Sequence, residues 1–191
     1  VLKRIWPTIK GSSDFTSRIV KKVPDFGNLL LCSPSWSPEN QYRSGPNTKK
    51  YIDIPGTAYD QQWIYQGHLN TISAAKLLGG KENIIEPLEK QLPFLDPIQI
   101  GTSGQIKEFR TENEYSEFGD PLHRHISQLM GLYPGNIINA NKPEWLDAAK
   151  TTLIKRGDRA TGWALAHKIN LWARLKDGNH TYVLYQNLLK Y

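Results

Sequence analysis

Apolar residues recur along most of this chain at the three- and four-residue spacing of helices, and the rhythm lapses over two long stretches, residues 33–56 and 93–122. Thr57-Ala-Tyr-Asp60 has capping-box spacing, and the helix it opens carries Tyr65, Leu69, Ile72 and Ala75 on one face before Gly79-Gly80 stops it. A shorter helix is expected from Glu82 to Gln91, ended by Pro93. Asn141, with Pro143 and Glu144, opens another, whose buried face is Leu146, Ala149 and Leu153 and whose stop is Gly157. Thr161 is placed to cap the next helix, where Leu165, Ile169 and Trp172 belong to a surface apolar nearly all round, as an inner helix requires. At the front, Phe15, Ile19 and Val20 predict a helix entered through Pro7 and closed before Pro24; at the end, Asn179 to Tyr191 reads as helix. Strand signals are short. Helical pairs alternating with long loops suit an all-α barrel of helical hairpins, and long loops inside a compact domain are commonly functional.

Composition narrows the classes. The 191 residues are 39% hydrophobic, enough for one core, and no apolar run is long enough to span a membrane. The net charge of +6 comes from scattered lysines and arginines with no long basic stripe, so nucleic-acid binding is not expected. One cysteine, Cys32, excludes an internal disulfide and reads as a small buried apolar residue after Leu29-Leu30-Leu31. The chain starts at Val1 without a charged leader and stops inside a helix, so it is expected to be a fragment of a longer protein.

Candidate chemistry gathers on the irregular stretches. Pro34-Ser-Trp-Ser-Pro-Glu-Asn40 is too rich in proline and serine for helix or central strand, so a rigid turn aims the Glu39 carboxyl. Held beside an indole and away from bulk water, such a carboxyl is expected to have a raised pKa, which suits a general acid. His123-Arg124-His125 supplies fixed guanidinium donors and imidazoles that both donate and accept, a good match for vicinal hydroxyls. A metal site there lacks further ligands at sensible spacing. Trp163 either stacks on a substrate or anchors the inner helix in the core, the second being preferred. Asp60 is accounted for by capping, and Glu108, on the second long loop, is the alternative acid or a binding residue.

Taken in order, the Pro34–Asn40 segment, Gly104-Gln-Ile-Lys-Glu-Phe109, Asp120-Pro-Leu-His-Arg-His-Ile-Ser127, Gly131-Leu-Tyr-Pro-Gly135, Arg156-Gly-Asp158, Thr161-Gly-Trp163 and the Lys168–Gly178 segment resemble glycoside hydrolase family 95, the inverting α-L-fucosidases. The resemblance runs from about Leu2 to the last residue and implies roughly the second half of an (α/α)6 barrel, all within one catalytic domain. It implies Glu39 as general acid, Arg124 and His125 as binders of the sugar hydroxyls with His123 beside them, and a fucosylated oligosaccharide as substrate. It implies no metal or organic cofactor, since two proton transfers suffice, and export to extracellular or periplasmic glycans. Phe109, Gln128, Ala164 and His167 stand where the family usually has Trp, His, Ser and Trp. These departures bear on fine specificity and keep an α-L-galactosidase open, as well as a non-catalytic helical carbohydrate-binding module.

An inverting hydrolase needs a second group, roughly 6.5 to 9.5 Å from the acid, to activate water. The resemblance assigns that role to an Asn-x-Asn motif early in the barrel and to a later Asp, both expected to lie outside these 191 residues, and Asn136-Ile-Ile-Asn139, in the loop after Gly131-Leu-Tyr-Pro-Gly135, does not replace them. The 191-residue piece expressed alone is therefore expected to be inactive and poorly folded, with apolar inner faces uncovered. Fucosidase turnover by the purified piece would overturn that expectation.

Overall fold

In the computed structural model, which describes residues 1–43, 54–160 and 162–190, a long helix α1 (Leu2–Ile19) lies against the central helix α2 (Ala58–Leu77). The contact stripe is Trp6, Ile9 and Ser13, spaced as one helical face. At Ser13 the side chains are small enough for close approach, and its hydroxyl meets that of Thr71 at 2.5 Å. This corrects the expected register. The helix starts at Leu2 with Pro7 inside it, Phe15 is exposed, and Val20 has left the helix for a strand. Pro7 is tolerated because only the single bond to the carbonyl of residue 3 is lost, close to the helix start.

Strands β1 (Val20–Lys22) and β2 (Leu30–Cys32) pair antiparallel, Val20 opposite Cys32, and form the one small sheet among the described residues. Cys32 is buried, and burial, with Asp60 nearby, pushes its thiol up to about 12, in keeping with an apolar role. Helix α3 (Ile85–Gln91) comes after the Gly79-Gly80 stop, begins at Ile85 rather than Glu82 and ends at Gln91 as expected, with a 3-10 turn, Leu92–Phe94, carrying the chain through Pro93. Irregular backbone then runs to α4 (Pro143–Arg156), which stops at Gly157 with φ 71°, where only glycine turns easily. Lys142, the residue before Pro143, takes the N-cap position of α4 in place of Asn141 without a side-chain capping bond, and Leu146 is only partly buried. Helices α5 (Gly162–Arg174) and α6 (Gly178–Leu188) form a hairpin in which Trp172 stacks on His180 at 3.9 Å. Asp177 caps α6 by accepting from the His180 backbone N–H. Thr161 lies outside the described residues.

The architecture is all-α, as part of a helical barrel domain should be. Its main core joins α4, α5 and α6 to the irregular segment through Ile106, Leu129, Leu153, Leu171, Trp172 and Leu184. No helix among the described residues is long and apolar enough to cross a membrane.

Helix α2 organises the rest in a way its apolar spacing did not announce. Besides Ile72 and Ala75 it buries Gln61, Gln62, Gln66, His68 and Thr71. The three glutamines satisfy backbone groups outside α2, whereas Thr71 meets the Ser13 hydroxyl and His68 acts through Gln91. Gln61 accepts from Cys32 N (2.8 Å) and donates to Leu30 O (3.2 Å); Gln62 donates to Gln128 O (2.7 Å) and accepts from Gly131 N (2.6 Å). Gln66 accepts from Asn136 N (2.8 Å), and His68 donates to Gln91, whose amide donates to Ser17 O. Replacing Gln62 by Leu leaves Gln128 O and Gly131 N buried and unpaired, so urea unfolding of the whole protein should lose about 1–3 kcal/mol for each. A change within about 0.5 kcal/mol, as at an ordinary surface position, would refute the stapling role.

Candidate functional site

Residues 35–40 alternate between anchoring and display. Ser35, Ser37 and Asn40 are buried, while Trp36 and the Glu39 side chain are about half exposed. Ser35 Oγ donates to Asp60 Oδ2 (2.7 Å), accepts from Thr57 N (3.0 Å) and shares a bond with the Thr57 hydroxyl. Trp36 N also donates to Asp60. Thr57 and Asp60 therefore hold this loop on the start of α2 rather than forming the expected capping box. Ser37 Oγ donates to Glu108 Oε1 (2.6 Å), Asn40 Nδ2 donates to Glu108 Oε2 (2.9 Å), and Asn40 Oδ1 accepts from Asp120 N (2.8 Å).

The structure brings Glu39, Arg124, His125 and Trp163 together. Arg124 Nη2 pairs with Glu39 Oε2, and His125 Nε2 lies 3.7 Å from the same oxygen. His125 Nδ1 is 3.1 Å from Pro38 O, and Ser127 Oγ donates to that carbonyl too. A carbonyl only accepts, so Nδ1 carries a hydrogen, and in the neutral ring Nε2 presents a lone pair toward the site. The burial expected around Glu39 is not there, because the side chain stands half in solvent. Trp163 is 59% exposed at the start of α5, its ring 4.5 Å from His125, so the preferred core reading is corrected. Pro38, His125 and Trp163 border a cavity of about 490 Å3 whose other walls include Tyr59, Tyr133 and His167. A second, mainly apolar cavity of about 290 Å3 around Tyr65, Ile98 and Trp145 shares no wall residue with it.

His123 stands behind His125. Its Nδ1 accepts from His125 N (3.1 Å), and burial, with the neighbouring His125 and Arg156, pushes its pKa down. Glu108 lies beneath the turn, buried, its oxygens taken by Ser37, Asn40 and Arg156 Nη2 at 2.8 Å. Arg156, buried at the end of α4, also donates from Nη1 to His123 O (3.2 Å) and His125 O (3.0 Å). Burial alone would lower its guanidinium, but Glu108 and Tyr115 beside it hold the pKa above the ordinary value. One ion pair thus ties the turn that displays Glu39 to the turn that displays Arg124 and His125. Sequence reasoning quoted Arg156 within the Arg156-Gly-Asp158 motif but gave it no role, since a cation in the last turn of a helix needs no further explanation. It also missed Tyr59, which no local pattern sets apart.

The helical frame and the sequence together define part of a glycosyl hydrolase catalytic domain, for residues 1–191 match such a domain over their whole length. The family is glycosyl hydrolase family 95, and the chain belongs to it. Alpha-L-fucosidase 2 of Arabidopsis thaliana is 32% identical over 184 residues, covering 94% of this chain and 21% of that protein. Probable alpha-fucosidase A of Aspergillus oryzae is 34% identical over 159 residues, covering 78% and 21%, and its namesake from Aspergillus niger is 30% identical over 187 residues, covering 93% and 22%. The chain spans about a fifth of the length of these curated relatives.

Removing one partner of a buried ion pair leaves the other charge uncompensated. Arg156→Met should therefore cost about 3–5 kcal/mol in denaturant unfolding. The double variant Arg156→Met/Glu108→Leu should recover only part of this, because Ser37 and Asn40 then lose their acceptor. A single-variant loss below about 1 kcal/mol, the range of exposed pairs, would show that the pair does not anchor the two turns.

Proposed function

We propose that this chain supplies the general-acid side of an inverting α-L-fucosidase that removes terminal α-1,2-linked L-fucose from oligosaccharides. All 191 residues then belong to one catalytic domain, and the groups that activate water come from outside them. The observation that carries the reading is the Glu39 carboxyl, displayed on a pinned turn at the mouth of an aromatic-walled cavity with Arg124 and His125 against it. The names of the three relatives support fucose as the sugar.

In this mechanism Glu39 protonates the leaving oxygen while a water attacks from the opposite face of the ring. Arg124 gives fixed donors to sugar hydroxyls, and the His125 lone pair accepts from one. Trp163 offers an exposed indole face to the C–H face of a pyranose. Of the two acidic candidates, Glu108 has its acceptors engaged by Ser37, Asn40 and Arg156, which favours Glu39 as the acid. The chemistry calls for no metal or organic cofactor. The substrates are fucosylated glycans outside the cytoplasm, a location that rests on family resemblance.

The test is proton NMR of the complete protein acting on 2'-fucosyllactose, beside its Glu39→Gln variant. β-L-Fucose should appear first from the native enzyme, and the variant should be slower by about 100-fold or more. An aryl fucoside with a leaving group that needs no proton should be spared most of that loss. Initial α-L-fucose would reject inversion, an undiminished variant would move the acid elsewhere, and no release at all would favour a non-catalytic module or another sugar such as an α-L-galactoside.

A further inference from the structure

His167 lies four residues after Trp163 on α5, so both side chains belong to one helical face and to one cavity. Its Nε2 is 3.0 Å from the carbonyl oxygen of Tyr133. That oxygen can only accept, so Nε2 carries the hydrogen and Nδ1 of the neutral ring is left as an acceptor. Burial lowers the pKa of this imidazole, and the neighbouring His125 acts in the same direction, so the ring stays neutral near pH 7. Nδ1 has no hydrogen bond to any described residue, nor is it one of the enclosed polar atoms left without a partner, so it is an accessible acceptor on a side chain that lines the cavity.

Asn170, one turn further along, repeats the arrangement. Its Nδ2 donates to Ala166 O at 2.8 Å, and Oδ1 is left unengaged and not enclosed. The α5 wall of the cavity is therefore furnished with acceptors, whereas Arg124, next in sequence to the wall residue His125, supplies guanidinium donors. A carboxylate or phosphate against this wall would meet lone pairs. A hydroxyl, which donates as well as accepts, fits both.

We propose that His167 is a specificity-determining residue of this site: its Nδ1 accepts a hydrogen bond from one particular hydroxyl of the sugar ring that lies against Trp163. This deepens the fucosidase reading and rests on it. A polar group set to take a substrate hydroxyl is left unpaired by an analogue that lacks it, so discrimination is felt at one ring position and not across the whole sugar.

The experiment measures kcat/KM of the complete protein on the parent fucoside and on analogues in which each ring hydroxyl is singly replaced by hydrogen. In the native enzyme every analogue that lacks a contacted hydroxyl should be slower, Arg124 and His125 accounting for some of these losses, and one further analogue should fall about tenfold through the contact to His167. His167→Phe should be about tenfold slower on the parent and should lose that preference while keeping the rest. His167→Asn, which places an amide oxygen near the position of Nδ1, should restore it. An equal loss on every substrate, or a preference unchanged in the Phe variant, overturns the proposal. If the Phe variant does not fold, the Asn variant decides: a retained single-hydroxyl preference supports the role, and its loss in a folded protein defeats it. Absence of turnover by the native enzyme would instead defeat the fucosidase reading. In that event the same comparison is made by calorimetric titration of L-fucose and its deoxy analogues, where a preference for one hydroxyl that disappears with His167→Phe supports the acceptor role and unaltered selectivity overturns it.

Discussion

The buried ion pair between Glu108 and Arg156 is the constraint on which the site depends. Two charges taken out of water are tolerated only when their remaining donors and acceptors are also satisfied. Here the satisfying groups are themselves the frame of the site: Ser37 and Asn40 from one turn, and the carbonyls of His123 and His125 from the other. Neither turn has a ladder of secondary structure to hold it. Each is ordered because the desolvated charge needs the groups it carries, which couples the position of Glu39 to that of Arg124 across 85 residues of chain.

This division of labour separates residues that hold from residues that act. Along residues 35–40 the small polar side chains point inward and are used up within the protein, while Trp36 and Glu39 point out. His123 and His125 repeat it two residues apart, one with its Nδ1 occupied by backbone and the other with Nε2 turned to Glu39. Under the proposed role Glu39 must exchange a proton, which a fixed strut cannot do. Glu108 and Glu39 are chemically similar groups in opposite settings, one buried and spent on Ser37, Asn40 and Arg156, the other half in solvent.

Much of this was readable from sequence where the cause is local. Proline- and serine-rich turns announced the loop bearing Glu39, helical spacing announced α2 and α4, and glycines announced their ends. The features that escaped have causes that spacing does not record. Arg156 resembles any cation at a helix end until the buried carboxylate facing it is known. Gln61, Gln62 and Gln66 lie outside the apolar face read from spacing, yet they are buried because the neighbouring segments have backbone groups to satisfy. Phe15 and Ile19 have respectable helical spacing, but the contact stripe of α1 was chosen by small Ser13, which lets the helices come close. Trp163 could not be placed by pattern, because an indole suits a core and a sugar cleft equally.

The glutamines of α2 carry an implication for how such a chain can vary. Three of them reach outward to three different segments, strand β2 at Leu30–Cys32, the turn at Gln128–Gly131 and the loop at Asn136, so the rotational phase of the helix is read simultaneously by all of them. One residue inserted near the start of α2 would rotate the remainder of the helix by about 100° and carry Gln61, Gln62 and Gln66 away from their partners together. Loop tips can lengthen or shorten at modest entropic cost. The axle they hang from cannot turn, and divergence among relatives should be confined to substitutions within α2 and to changes of length outside it.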